Sequence, residues 1–298
     1  MNGTPDDLLS TPRVTVVIPT YNYAEALAYS IASVLDQTYR DFELIVVGDG
    51  CTDDSERVAT STGDPRVHWL NLPKNTGHQS EPNNEGLRRA SGDVVAFLGH
   101  DDLWLPNHLE VLIEAFDAGV VAAQTTMLVV SPGVPCRAAP QPGWSYERGA
   151  FVAPTSLAIR RRQTLEVGGW RDAAETGPLF PESDLLARVY DIAGPPLWIQ
   201  RLTCVKLAAG ERRNVYRTRP THEQAYWLEQ IRAADEPEHV IGAHEGRPYD
   251  LAGDPLKPMG LRERAWRSAR YRLRKRLGLP SVGAQTAIRR LQRIKGLR

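Results

Sequence analysis

Short apolar runs and stretches of helical periodicity alternate through the first hundred or so residues. Residues 13–18 (Arg-Val-Thr-Val-Val-Ile) are rich in β-branched side chains and stop at Pro19-Thr20-Tyr21-Asn22, the pattern of a buried strand ending in a turn. Over 24–37 the apolar residues Leu27, Ile31, Val34 and Leu35 recur at the spacing of one helix face. A second strand is expected over 41–47. The turn after it reads Gly48-Asp49-Gly50-Cys51-Thr52-Asp53-Asp54, and its Asp53-x-x-Glu56 spacing announces another helix. Residues 67–72 read as a third strand and 86–90 as the end of a helix. Residues 94–98 (Val-Val-Ala-Phe-Leu) are uniformly apolar, as expected of a fourth strand covered on both faces. This alternation predicts an α/β fold, with a right-handed, mostly parallel sheet and helices on both faces.

The later pattern is less regular. An amphipathic helix is expected over 109–116 and an apolar strand over 120–130. Residues 131–149 carry four prolines and three glycines and read as a surface loop able to line a site. A strand over 151–159 and a short helix over 160–167 follow, closed by Gly168-Gly169-Trp170. Pro181-Glu182-Ser183-Asp184 then opens an apolar helix through Tyr190, and 197–199 and 203–207 read as late, short strands.

The fourth strand carries the first chemical signal, because it runs directly into Gly99-His100-Asp101-Asp102. In open α/β sheets ligands lie outside the carboxyl ends of the strands, so Asp101 and Asp102 are expected to project into the crevice. Adjacent carboxylates repel unless a cation neutralises them, and oxygen ligation suits Mg2+ or Mn2+ carrying a phosphate. The competing reading makes Asp101 the N-cap of the helix that Pro106 and Asn107 introduce.

Composition adds a charge asymmetry. The 298 residues are 42% hydrophobic and 24% charged, enough for one large domain with an appendage. Net charge is zero, yet residues 257–298 hold fourteen Lys or Arg against one acid, Glu263, which leaves 22 bases and 35 acids in the first 256 residues. The tail interleaves Trp266, Tyr271, Leu273 and Leu277 with its arginines. It reads as a basic helical extension that lies on an anionic membrane surface, stays solvated or docks on the acidic body. Nucleic acid is not expected as a partner, because the body is acidic and no aromatic stacking platform accompanies the arginines. The three cysteines are odd in number and lack metal-ligand spacing, which points to a reducing cytoplasm. Residues 1–12 are polar, without the apolar core of a signal peptide, and no run approaches the roughly 18 apolar residues of a membrane span. The expected organisation is a flexible segment 1–12, a domain over 13–256 with halves 13–105 and 106–256, and the extension 257–298.

Several motifs occur in a fixed order: Val16-Val17-Ile18-Pro19-Thr20-Tyr21-Asn22, the run from Ser33 through Gln37-Thr38-Tyr39 to Val47, Asp49-Gly50-Cys51-Thr52-Asp53, Phe97 to Pro106, and Gly168-Gly169-Trp170. Together they resemble the family 2 glycosyltransferases of GT-A fold, a Rossmann-like architecture, over residues 13–205. The resemblance implies a nucleotide-diphosphate sugar donor, a divalent metal (Mn2+ or Mg2+), and inversion by direct displacement onto a hydroxyl of a glycan or lipid-linked acceptor. It places Thr20, Tyr21 and Asn22 at the nucleoside, with Tyr21 against the base, and Asp49 on the base edge. Asp101 matches the last acid of the family's DxD motif, the metal ligand, with His100 and Asp102 beside it. Pro181-Glu182-Ser183-Asp184-Leu185-Leu186-Ala187-Arg188 resembles Glu-Asp-x-Asp-Leu-x-x-Arg, which puts the catalytic base at Glu182 with Asp184 as its competitor.

Three positions depart from the family pattern. Gly48 and Gly99 stand where acids are usual, and Asn83 occupies the place of an arginine before Asn-x-Gly, so its diphosphate contact is lost or supplied by His78, Arg88 or Lys74. The expected function is polysaccharide or cell-surface glycan synthesis by a cytoplasmic enzyme, peripheral on the inner face of the membrane if the tail binds lipid. The alternative is a non-catalytic nucleotide- or glycan-binding module of the same fold.

Overall fold

Seven elements make the first half of the chain in a computed structural model that describes residues 12–132, 134–209 and 214–247, with residues 289 and 293. They are β1 (Val14–Thr20), α1 (Ala24–Leu35), β2 (Phe42–Gly48), α2 (Ser55–Thr60), β3 (Val67–Asn71), α3 (Ser80–Arg89) and β4 (Val94–Phe97). β1 lies at the centre, parallel to β2 on one side and β4 on the other, with Val14 opposite both Phe42 and Val94. β3 extends the parallel sheet beyond β2. Val16, Val17, Ile18, Leu44, Val46 and Val95 are fully buried, which explains the absence of polar alternation in these strands. Each such side chain contributes about 1.5–3 kcal/mol of transfer free energy. α3 lies close on β1 because its residue 86 is glycine: a Cβ there would come within 2.5 Å of Val17 Cγ1.

The second half adds β5 (Leu103–Trp104), α4 (His108–Asp117), β6 (Ala122–Val130), β7 (Arg137–Ala139), β8 (Leu157–Arg160), α5 (Arg161–Glu166), α6 (Pro181–Ala193), β9 (Leu197–Leu207), α7 (Val215–Thr218), α8 (His222–Ala233) and α9 (Pro237–Gly242). The sheet order is β3-β2-β1-β4-β8-β6-β9-β5, with β7 paired to β6. β8 is antiparallel to both β4 and β6, and so joins the two halves into one sheet.

Three sequence expectations change in detail. Of 151–159, Pro154–Ser156 form a 3-10 turn and the strand begins at Leu157, because Pro154 lacks an N–H for a ladder. The two short strands over 197–199 and 203–207 are one strand, β9, whose pairing with β6 shifts register around Thr126. The loop 131–149 contains β7. The basic extension 257–298, apart from residues 289 and 293, and residues 1–11 lie outside the described residues.

A buried histidine couples α4 to β9. His108, fully buried in α4, has Nδ1 2.8 Å from Thr203 Oγ1 on β9, and burial pushes its pKa down to about 3, so the ring is neutral at physiological pH.

Candidate active site

The carboxyl ends of β1, β2 and β4 open onto a cleft of about 770 Å³. Thr20, Tyr21, Asp49, Asn83, His100, Asp101, Asp102 and Glu182 all line it, whereas Asn22 and Asp184 do not. Asn22 has a positive φ of 47°, and its Oδ1 accepts the backbone N–H groups of Thr52 and Asp53. It therefore ties the turn after β1 to the turn after β2, at one remove from the cleft.

On this side of the cleft the groups are held by backbone donors. Asp49 accepts from Thr76 N at 2.9 Å, Thr76 Oγ1 at 2.7 Å and Gly77 N at 3.3 Å, so the carboxylate orders the loop before α3. Burial raises its pKa against the opposing effect of these hydrogen bonds. His100 Nδ1 is 2.9 Å from Thr20 Oγ1 and 3.4 Å from Tyr21 N. A backbone N–H can only donate, so Nδ1 is the acceptor and Nε2 carries the ring proton, 3.4 Å from the Tyr216 hydroxyl. Asn83 is fully buried, and neither of its side-chain amide atoms has a hydrogen-bond partner among the described residues. Buried polar atoms of this kind cost free energy unless something satisfies them, and these border the cleft.

The glycine departures have steric causes. A Cβ on Gly48 would lie 2.6 Å from Asn71 Oδ1 and 2.7 Å from the Trp69 ring, so β3 side chains fill the space an acid would need. A Cβ on Gly99 would lie 2.8 Å from Asp102 Oδ2. An aspartate at position 99 would therefore compete with Asp102 for one place.

Asp102 lines the cleft beside Asp101, but its side chain is fully buried and its oxygens are taken up by protein partners. It pairs with Lys206 Nζ at 2.8 Å, accepts Leu207 N at 2.9 Å and takes a short hydrogen bond from Thr155 Oγ1. Burial pushes its pKa up, Lys206 opposes this, and neighbouring Asp101 adds to the rise. Asp101 pairs with no Lys or Arg among the described residues; its Oδ2 is 3.5 Å from the Tyr216 hydroxyl. Burial beside Asp101 raises the Tyr216 pKa well above the usual range, so that hydroxyl stays protonated.

The opposite wall comes from α6 and the loops around it. Glu182, in the first turn of α6, is largely buried and accepts a 3.4 Å contact from Gln79 Nε2. Asp184, two residues further along, pairs with Arg188 at 2.8 Å, and Arg188 also donates to the carbonyls of Val167 and Gly169. Asp184 thus fastens α6 to the Gly168-Gly169-Trp170 turn. Asn84 of α3 clamps the same turn by accepting Trp170 N and donating to Trp170 O, both at 2.8 Å. Gly169, at φ 68°, is needed there, since a Cβ would fall 2.6 Å from Asn84 Oδ1. Beyond Glu182, Phe151 is 59% exposed and packs edge-on to Phe180 at 6.0 Å. With Trp144 and Arg137 they form an aromatic, basic-edged rim.

Lys206, Tyr216, Thr155 and the Phe151–Phe180 part of the rim escaped the sequence reading, whereas the loop 131–149 that brings Arg137 and Trp144 was expected to line a site. A lone lysine in the apolar run Thr203-Cys204-Val205-Lys206-Leu207 is a usable signal, because a buried strand keeps a charge only when it is paired. Nothing local distinguishes Tyr216.

Among the described residues no group of three or more His, Cys, Asp or Glu side chains could hold a metal ion. Mg2+-type sites are often completed by substrate phosphates around one or two carboxylates, and Asp101 fits that arrangement. The residues suit a cation that arrives with a diphosphate.

A parallel sheet opening at its carboxyl ends into an acidic cleft, closed by a mixed second half, defines a protein of the GT-A glycosyltransferase fold. Residues 15–159 match the family model described as glycosyl transferase family 2, and the resemblance drawn from the motifs holds over that stretch. An uncharacterized glycosyltransferase of Nostoc is 39% identical over 111 residues, 37% of this chain and 34% of its own. The UDP-Glc:alpha-D-GlcNAc-diphosphoundecaprenol beta-1,3-glucosyltransferase of Escherichia coli is 36% identical over 100 residues, 34% of this chain and 39% of its own. The match thus spans little more than a third of these relatives' length. In fold, the chain is similar to S. aureus TarS bound to UDP-GlcNAc, with TM-score 0.51, 20% identity, and 65% of this chain and 58% of that one covered. It is also similar to a Pyrobaculum calidifontis mannosyltransferase bound to GDP-Man and Mn2+, with TM-score 0.53, 18% identity, and 78% and 68% covered.

Proposed function

We propose that the protein is an inverting glycosyltransferase that moves a sugar from a nucleotide-diphosphate donor to a hydroxyl of a saccharide or lipid-linked acceptor. The observation that carries this reading is the convergence of Asp49, Asp101 and Glu182 on one cleft from three separate elements. Thr20, Tyr21 and Asp49 hold the nucleoside, and the orphaned amide of Asn83 turns toward the donor. Asp101 holds Mn2+ or Mg2+, which when bound neutralises charge on the diphosphate. Glu182 takes the acceptor hydroxyl proton as the oxygen bonds to the anomeric carbon; the bond from that carbon to the diphosphate oxygen breaks, and its electron pair leaves with the nucleotide. Asp184 keeps α6 in place for this and touches no substrate. A lipid-linked acceptor is supported by the name of the E. coli relative, and the Phe151–Phe180 rim beside Glu182 offers it an apolar face. Contact with an anionic inner surface is assigned to the basic tail, on its fourteen Lys or Arg against one acid; among the described residues no helix is long and apolar enough to cross a membrane.

A thermal-shift screen of nucleotide diphosphates with Mn2+ tests the donor, since a ligand of the native state raises its melting temperature. UDP or GDP should shift the transition, and no shift with any nucleotide refutes the reading. The three departures at Gly48, Gly99 and Asn83 favour a second reading, a binding module without chemistry. Slow donor hydrolysis in the absence of acceptor supports the enzyme, whereas binding without hydrolysis or transfer supports the module.

A further inference from the structure

The geometry points to Lys206 as a second, protein-borne cation for the donor diphosphate, held in place by Asp102; this rests on the donor reading above. The cleft is lined by four carboxylates, Asp49, Asp101, Asp102 and Glu182, and a diphosphate brings further negative charge into it. Among the described residues, only Lys206 and Arg137 line it as Lys or Arg. Arg137 stands on β7 among the aromatic rim, on the acceptor side. Lys206 rises from the end of β9 beside the β4 terminus, with its side chain 26% exposed and its ammonium 2.8 Å from Asp102.

Asp102 does not need Lys206 for its hydrogen bonds alone, since Leu207 N and Thr155 Oγ1 already satisfy part of its capacity. Those two donors fix the carboxylate rigidly, and the carboxylate in turn fixes the ammonium. An ammonium has three N–H donors, and one bond to Asp102 leaves others for the cleft. Asp101 and Asp102 both hold the ammonium in its charged form against the lowering effect of burial, with a weaker contribution from Glu182. The group thus lies within electrostatic reach of both the β4 carboxylates and Glu182, the span that a sugar diphosphate must bridge. The uncharged Asn83 removes the other cation the family pattern would supply, and Lys206 offsets that loss. It stays protonated throughout, donating a hydrogen bond to the departing phosphate oxygen as the bond from that oxygen to the anomeric carbon breaks. Asp102 is its positioning residue.

The test measures binding of UDP, GDP and inorganic pyrophosphate to the full chain with Mn2+ and again in excess chelator, and compares variant with wild type under whichever condition the wild type binds, beside uridine and guanosine, which lack phosphate. Lys206→Met alone leaves a buried Asp102 without its counter-charge, so the double variant Lys206→Met/Asp102→Asn, which removes both charges together, is the primary one. Its melting temperature and far-ultraviolet spectrum check the fold. The expected result is a roughly ten- to hundredfold weaker affinity for pyrophosphate and for the nucleoside diphosphate, with nucleoside affinity unchanged. Asp102→Asn alone, which keeps the lysine but loosens its anchor, should give a smaller loss of the same selectivity. Unchanged diphosphate affinity in the folded double variant overturns the role of Lys206 while leaving the donor reading intact. If no nucleotide binds the wild type with or without Mn2+, both fall.

Discussion

Residues 13–105 and residues 106–247 contribute to the same sheet under different rules. From β1 to α3 each strand is followed by a helix, and β2, β3 and β4 each pair in parallel with β1 or β2; only β5, at the end of the stretch, pairs antiparallel, with β9. In the second stretch β8 runs antiparallel between β4 and β6, and β9 bends across β6 through a register shift. The first places the donor-side groups at strand ends. The second supplies Glu182 from a helix terminus and Lys206 from the end of a strand. On the proposed function, the regular βα frame holds the nucleotide, while the irregular half carries Glu182 as the base and the rim that meets the acceptor.

If nucleoside and metal binding belong to the first stretch and proton removal to the second, single substitutions should separate them. The largest effect is expected for Asp101→Asn, which keeps shape and removes charge. It should abolish Mn2+-dependent nucleotide binding and lower transfer by about 10³-fold or more, read by calorimetry and product formation. Full activity in that variant would remove the metal from the reading. Glu182→Gln should lower turnover by about 10²–10⁴-fold with donor affinity nearly unchanged. Asp184→Asn should chiefly lower the melting temperature through the loss of its Arg188 pair, and the reverse pattern would make Asp184 the base.

Smaller effects test how each half is packed. Gly86→Ala forces a methyl against Val17 on the central strand and should cost about 1–3 kcal/mol in urea unfolding, a loss located in the first half. His108 tests the second half by pH. Its folded pKa of about 3 lies below the ordinary value near 6.5, so between these values the unfolded chain binds a proton that the folded chain refuses. Its contribution is complete above about pH 6.5 and is lost as pH falls toward 3, by up to about 1.4 kcal/mol per pH unit. Unfolding measured from pH 7.5 to 5 should show this slope in the wild type and a shallower one in His108→Gln. An identical slope in the two would place the acid sensitivity elsewhere.

Local patterning determined the first half of this protein. Apolar runs ending at Asn22, Asp49 and Asp101, separated by helical periodicity, specify parallel strands with polar termini, and burial on both faces enforces that pattern residue by residue. The pairing of Asp184 with Arg188 was equally legible, because four residues on a helix are neighbours. Tertiary structure alone decided the fate of Asp102, which adjacency to Asp101 put at the cleft and whose carboxylate a lysine 104 residues away pairs. It also decided that β8 would fill the sheet between β4 and β6, and that Tyr216 would reach Asp101 and His100. Periodicity reports which face of an element is buried. Which distant charge neutralises a buried one depends on the packed fold, where desolvation makes that pairing obligatory.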